Sequence, residues 1–464
     1  MLLACHRRRL RPPPPPLLAP VKNKLLPGTV EAMLGSLHHH HHHHHSSSSS
    51  DTDNNNDNKN GGAGSHDRGV VLAAAAAPSA RDLVLACADL LQRGDLPAAR
   101  RAAGVLLSAA SPRADAADRL AYHFARALAL RADAKGFAAA AARPAASSSS
   151  GAYLAFNQIA PFLRFAHLTA NQAILDAVEG ARRVHILDLD AAHGVQWPPL
   201  LQAIADRADP AAGPPEVRIT GAGADRDTLL RTGSRLRAFA RSIHLPFRFT
   251  PLLLSCAAAT TTHHHHAASG STTTATASSA AAATTSLELH PDETLAVNCV
   301  MFLHKLGGQD EVAAFLKWVK AMAPAVVTVA ERETIGGGHD RIDDLPQRAA
   351  AAMDHYSAVF EALEATVPPG SRERLAVEQE VLGREIEASL GPAGGRWWRG
   401  LERWGAAARA AGFAARPLSA FAVSQARLLL RLHYPSEGYL VQEARGACFL
   451  GWQTRPLLSV SSWQ

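Results

Sequence analysis

The stretch from Val184 to Leu200, "VHILDLDAAHGVQWPPL", decides how the rest of the chain is read. Its first half is a short apolar strand and its centre an Asp-containing turn. Its last part places Pro198 and Pro199 in the first turn of a helix, where a missing N–H costs nothing. A strand handed straight to a helix is the opening unit of a doubly wound α/β sheet, whose ligands lie beyond the carboxyl end of that strand. A phosphate or cofactor cradle there needs glycines, because any Cβ blocks close backbone approach. The turn instead reads Asp188, Leu189, Asp190, Ala191, Ala192, His193, Gly194, Val195, with a single glycine. It departs both from GxGxxG and from the glycine-rich turn of S-adenosylmethionine enzymes. The expectation is therefore a nucleotide-type frame with an eroded cradle. Asp188 is expected to lock the turn, with ligand contact and partner recognition as the alternatives. Gln196 and Trp197 leave the first helical turn, the indole packing on the sheet. His185, Asp188 and His193 lack metal-ligand spacing, and strand alternation separates their side chains.

Working outward, strand and helix patterns alternate. "PEVRITGAG", "LPFRFTPLLL", "ETLAVNCVMFLHKL" and "AVVTVA" supply further strands, the third running into a helix. "RDTLLRTGSRLRAFARSIH" and "AAFLKWVKAMA" are amphipathic helices. After a second polar loop, "AAMDHYSAVFEALEATV" and "RERLAVEQEVLGREIEASL" read as helices, with Arg384 and Glu385 on an exposed face. The segment "ARLLLRLHYPSEGYLVQEARGACFLGWQTRPLLSVSSW" reads as strand, loop, strand, turn and final strand, without a crossover helix. Phe449, Trp452, Leu457, Val460 and Trp463 are the expected buried positions of that closing hairpin. The predicted fold is an α/β methyltransferase-like doubly wound mixed sheet with a helical cap and a disordered N-terminal region. Residues 1–79 form the low-complexity region, 80–170 the mainly helical cap and 171–464 the Rossmann-like core, with a disordered insertion at 257–286. Within the cap, Leu83, Ala86, Cys87, Leu90 and Leu91 form one stripe, Gly94 and Asp95 break the helix, and Thr169 or Asn171 caps a later one.

Composition narrows the function. Lys and Arg number 47 against 41 acidic residues, a small excess with no long basic stripe. That fits a nucleic-acid neighbourhood without arguing for direct contact. The cysteines are 5, odd in number and scattered, which points to a reducing compartment and no cysteine zinc site. No apolar run reaches the roughly 18 residues that span a bilayer, and no membrane partner is expected. The Arg-containing, acid-free start resembles a transit peptide or a small nuclear localisation patch, and Met33 is an alternative start to Met1. Glu331, Arg332 and Glu333 stand at a strand's carboxyl end, where catalytic groups often sit, but their charges equally suit internal ion pairs. No serine or cysteine nucleophile comes with a recognisable histidine and carboxylate.

The ordered motifs together resemble the plant GRAS family over residues 80 to 464. Leu83 to Leu130 resembles its first leucine-rich region. Val184, His185 and Asp188 in "VHILD", followed by Gln196, Trp197 and Pro198, resemble its central signature. "LLRTGSRLRAFARSIHLPFRF", containing Arg231, Arg235 and Leu236, resembles the second leucine-rich region. Val326 to Glu333, Tyr356 to Arg384, and Arg396 to Trp463 with Trp452 follow in order. The start "MLGSLHHHH" resembles the lateral-suppressor or monoculm subgroup associated with axillary-bud formation; DELLA-type hormone-response motifs are absent.

The resemblance implies a nuclear transcriptional co-regulator without cofactor, metal or catalytic residues. Its implied partners are DNA-binding transcription factors and other GRAS proteins, including DELLA-type regulators, in homo- or hetero-dimers. Its leucine-rich segments are the expected partner surfaces. The alternatives are direct sequence-specific DNA binding, through Arg226, Arg231, Arg235, Arg237 and Arg241, and an S-adenosylmethionine-dependent methyltransferase with Asp188 beside the cofactor.

Overall fold

The computed structural model describes residues 79–133, 150–191, 193–253, 287–333, 344–391 and 400–464. The low-complexity N-terminal region, the insertion at 257–286, Ala192 and the motif beginning at Arg396, up to Gly400, lie outside the described residues.

Five strands, β1 (Arg183–Asp188), β2 (Glu216–Gly223), β3 (Phe247–Leu253), β4 (Thr294–Val300) and β5 (Val326–Arg332), run parallel. Three more, β7 (Tyr439–Ala444), β8 (Ala447–Trp452) and β9 (Arg455–Trp463), run antiparallel, giving the order β3-β2-β1-β4-β5-β9-β8-β7. The two-residue β6 (Ala415–Arg416) also pairs with β9. This is the doubly wound mixed sheet that the alternating pattern predicts.

Strand alternation assigns the two faces. Val184 and Ile186 pack with Trp197, Leu200 and Leu201 of helix α6 (Trp197–Asp206) and with Ile174 of α5 (Phe162–Ala177). Leu187, Val297 and Val329 turn the other way, onto Phe315 and Leu316 of α8 (Gln309–Ala321) and Trp404 of α12 (Leu401–Ala410). Helix α7 (Arg226–Ser242) packs on β3, and its Gly233 lies so close to Phe249 that a Cβ there would come within 2.5 Å of the ring.

The cap begins with α1 (Ala80–Gln92), α2 (Leu96–Ala109) and α3 (Ala116–Ala132). Ser79 and Asp82 form a reciprocal capping box at its entry, Ser79 Oγ accepting from the Asp82 N–H at 3.2 Å. Gly94, at φ 82°, ends α1 as expected, and Asp95 caps α2. The buried stripe of α1 is Val84, Cys87 and Ala88, while Leu83, Leu90 and Leu91 are half-buried beside it and Ala86 is exposed. The cap also recruits α9 (Leu345–Thr366) and α11 (Gly383–Leu390), which pack on α1 and α3 from far along the chain. Between α10 (Arg372–Val377) and α11, a π turn (Glu378–Leu382) places Glu378 against Arg119 of α3, a fully buried ion pair at 3.0 Å.

Three local expectations are corrected. "ARLLLRLH" is not a strand but the end of helix α13 (Ala420–His433), whose start is capped by Ser419 accepting from the Ala422 N–H. Its leucines wrap two sides of a helix, and one-dimensional alternation cannot distinguish that from a strand. Thr169 and Asn171 do not cap a helix; both lie inside α5, which starts after Pro161 and is preceded by α4 (Ser150–Ile159). Arg384 and Glu385 are half-buried rather than exposed, and Glu385 pairs with Arg332 and accepts from the Tyr356 hydroxyl at 3.3 Å.

Candidate functional site

The parallel register sets Asp188 beside Asn298 and Asn298 beside Thr328, a row of polar side chains that runs from the carboxyl end of β1 across β4 into the first half of β5. All three are buried. A buried polar row is tolerable only when its members satisfy each other. Here the Asn298 amide donates to Asp188 Oδ1 at 3.0 Å and to Gln196 Oε1 at 3.1 Å, while its oxygen accepts from Gln196 at 3.1 Å and from the Thr328 hydroxyl at 2.9 Å. The Trp197 indole N–H donates to Asp188 Oδ2 at 2.8 Å. From α5, the Asn171 amide donates to the Gln196 carbonyl at 2.8 Å and its oxygen accepts from the Gln196 side chain at 3.1 Å.

Both oxygens of Asp188 are therefore engaged within the chain. Burial pushes its carboxyl up to about 6, against the lowering effect of the bonds from Asn298 and Trp197. The arrangement holds the β1–α6 turn shut rather than presenting a free base.

A cavity of about 40 Å³ lies beside this network, lined by Tyr153, His167, Asp190, His193, Val300 and Met301 among others. It accommodates on the order of two or three waters, whereas a cofactor-sized ligand requires roughly 300 Å³ or more. Gly194, at φ 63°, keeps the turn tight, and a Cβ there would come within 2.6 Å of Thr232 on α7. Burial lowers the His167 imidazole to about 4, so it is neutral at physiological pH. Lys305 pairs with Asp190 at 2.5 Å and neutralises the second acid of the turn. The residues present do not fit S-adenosylmethionine: the turn offers neither the glycines nor the volume, and its carboxylate is bonded to its own helix.

Asp188, Gln196 and Trp197 come together at the turn; Val184 and His185 lie lower on the same strand. His185 points to the opposite face from Asp188, contacting the Thr220 hydroxyl at 2.8 Å and Arg218 at 3.1 Å, with burial lowering its ring to about 4. Among the described residues no cluster of three or more His, Cys, Asp or Glu could hold a metal. Arg231 and Arg235 are exposed on α7, but Arg235 donates to the His193 carbonyl at 2.8 Å and Arg231 to the Thr228 hydroxyl at 3.0 Å. Leu236 is buried under Gly194. Trp452 and Trp463 are both buried in the sheet. Leu83, Leu90 and Leu91 lie on α1 and Arg384 on α11, both in the cap.

The carboxylates at the end of β5 are structural as well. Glu331 accepts from the Leu303 N–H at 2.5 Å and contacts His304 at 3.1 Å. Glu333 accepts from the Leu401 N–H at 3.0 Å and from the Ser459 hydroxyl at 2.5 Å, tying α12 and β9 to the end of β5. Burial raises the Glu333 carboxyl to about 7, above its ordinary 4.5. The folded chain thus holds this proton more tightly than the unfolded one. Its stabilising contribution is fully present below pH 4.5 and is lost as pH rises through 7. Glu333→Gln is expected to remove that slope, making the variant more stable than wild type by about 3 kcal/mol at pH 8 and equal to it near pH 4. Denaturant titrations across that range measure it, and parallel pH profiles of the two proteins would refute it.

Asn298 and Thr328 escaped the sequence reading, which has Asn171 only as a candidate helix cap. Asn298 sits in the apolar run "LAVNCV", and an Asn inside a buried parallel strand is itself the signal that a partner must exist.

The GRAS domain family matches residues 80–464. Protein MONOCULM 1 of Oryza sativa subsp. japonica is 81% identical over 396 residues, covering 83% of this chain and 88% of that protein. Scarecrow-like protein 18 of Arabidopsis thaliana is 45% identical over 322 residues, 67% of each chain. The crystal structure of SCL7 from Oryza sativa superposes with a TM-score of 0.63 at 30% identity, over 84% of this chain and 100% of that one. A doubly wound mixed sheet with a packed polar turn, a helical cap and this degree of likeness lead to one assignment: the chain belongs to the GRAS domain family, in its monoculm subgroup.

Proposed function

We propose that the protein is a non-enzymatic, nuclear transcriptional co-regulator of axillary-meristem and shoot-branching development, acting through contacts with DNA-binding transcription factors. The observation that carries this reading is the 81% identity to Protein MONOCULM 1 across most of both chains. The self-satisfied network around Asp188 supports it from the chemical side, since both carboxylate oxygens already have partners. The basic face of α7 gives little support to direct base readout: Arg235 is bonded to the chain's own backbone, and phosphate attraction by the remainder would not distinguish sequences.

The test combines a branching-gene reporter with recovery of protein partners from nuclei. Wild-type protein is expected to change reporter output only when a DNA-binding partner is co-expressed, and purified protein is expected to bind cognate and scrambled duplexes equally weakly at physiological salt. Reporter control by protein that recruits no nuclear partner, or tight preference for the cognate duplex, would sink the reading.

A further inference from the structure

Helix α13 has two apolar sides. Ala422, Val423, Ala426 and Leu430 are buried in the core shared with α5 and β7. The other side carries Phe421, Leu428 and Leu432, which are 54%, 42% and 63% exposed. A monomeric protein normally scatters its exposed large apolar residues, so an ordered row is informative. With Gln425, these residues follow a four-three-four spacing, and at about 100° per residue the four fall within a stripe of about 60°. That spacing is the seam of a two-helix packing, with a polar residue at one inward position of the kind that fixes register.

A further observation bears on the occupant. The helix contains no Asp or Glu, while Arg427 and Arg431 run along one flank of the stripe, both exposed. Arg427 is paired at 3.1 Å with Glu443 of β7, which leaves Arg431 as the forward cation of that flank. A second copy of the same helix would supply no carboxylate to meet these arginines. Phosphate surfaces would use the arginines and leave three large apolar side chains in water.

We propose that the seam of α13, formed by Phe421, Gln425, Leu428 and Leu432 with Arg427 and Arg431 beside it, docks an acidic amphipathic helix of a partner protein. The inference rests on the co-regulator reading and adds to it the face used and the chemistry of the segment bound. Apolar residues at the complementary spacing fill the seam, and Glu or Asp along one edge meets Arg431.

The test uses the full chain and a fluorescein-labelled synthetic helix with leucines at alternating three- and four-residue spacing and glutamates on its flanks, with a lysine-flanked counterpart. Fluorescence anisotropy is expected to show saturable binding of the glutamate helix and at least about tenfold weaker binding of the lysine helix. The paired change Leu428→Asp and Leu432→Asp should weaken binding by about tenfold or more without altering thermal unfolding, because both side chains are exposed. Arg431→Glu should reverse the preference between the two helices. Equal binding of both helices, indifference to the seam changes, a concentration-dependent dimer abolished by them, or binding to phosphatidylserine vesicles in place of the peptide would each overturn the proposal. Failure of the wild-type chain to bind the peptide while it still controls the reporter with a recovered partner would remove this inference alone. Absence of any nuclear protein partner would instead remove the co-regulator reading.

Discussion

Replacing Trp463 by alanine is expected to lower the free energy of unfolding by about 3–5 kcal/mol, the range for deleting a fully buried tryptophan. The side chain is 2% exposed. It stands on β9 opposite Val327 of β5 and Ala415 of β6, and its ring meets Trp404 of α12 edge-on at 5.5 Å between centroids. The change therefore opens a void where strand, edge strand and helix converge. Truncation after Arg445 removes β8 and β9 together and should abolish cooperative unfolding. Denaturant titration of wild type, Trp463→Ala and the truncation, alongside partner binding, makes the comparison. A truncated protein with native stability that has lost a single interaction would show the segment to be a docking surface instead.

Asn298→Leu should cost about 4 kcal/mol, for a different reason. The substitution keeps the volume but removes the bonds that Gln196, Thr328 and one oxygen of Asp188 make to Asn298, leaving Gln196 with Asn171 and Thr328 with a longer bond to the Val297 carbonyl, and each buried bond lost costs on the order of 1–3 kcal/mol. The sign of its pH dependence follows from Asp188, whose folded-state value of about 6 is above its ordinary 3.8. That group's contribution to stability is complete below pH 3.8 and is lost as pH rises through 6. Removing the Asn298 donor raises the carboxyl further, so the penalty should be larger at pH 7.5 than at pH 5. Unfolding midpoints at the two pH values measure it; an equal or smaller loss at the higher pH would show that Asp188 is not the group being stabilised.

How far each element was legible depends on where its determinants lie. The β1 strand, the proline-started α6 and the alternation of strands with helices carry their signals locally, in apolar runs of strand length and in Pro198 and Pro199 at a helix start. The turn-locking expectation for Asp188 rested on the same local logic, and the bonds from Trp197 and Asn298 give it physical form. Asn298 itself was illegible as a partner because only strand register places residue 298 beside residue 188. The end of α13 misled for the opposite reason: the local signal was present, in Ser419 and the helix-forming run after it, but the apolar density of "RLLLRL" matched a buried strand equally well. The leucine stripe of α1 was found with its phase shifted, because three helices converge on Val84, Cys87 and Ala88 and leave the larger leucines at the margin.

The placement of β9 between β5 and β8 has a consequence for how the chain is made. During synthesis the five parallel strands and their helices emerge first, yet β5 must wait for residues 455–463 before its second edge is covered, with residue 331 eventually lying opposite residue 459. Throughout that interval the nascent polypeptide displays an unpaired, apolar strand edge of the kind that chaperones shield and other chains invade. A stop codon anywhere between the codons for β5 and β9 would fix the protein in that state. Such late-truncating alleles should behave genetically as complete nulls, with the product degraded or aggregated, however much of the partner-binding surface they still encode.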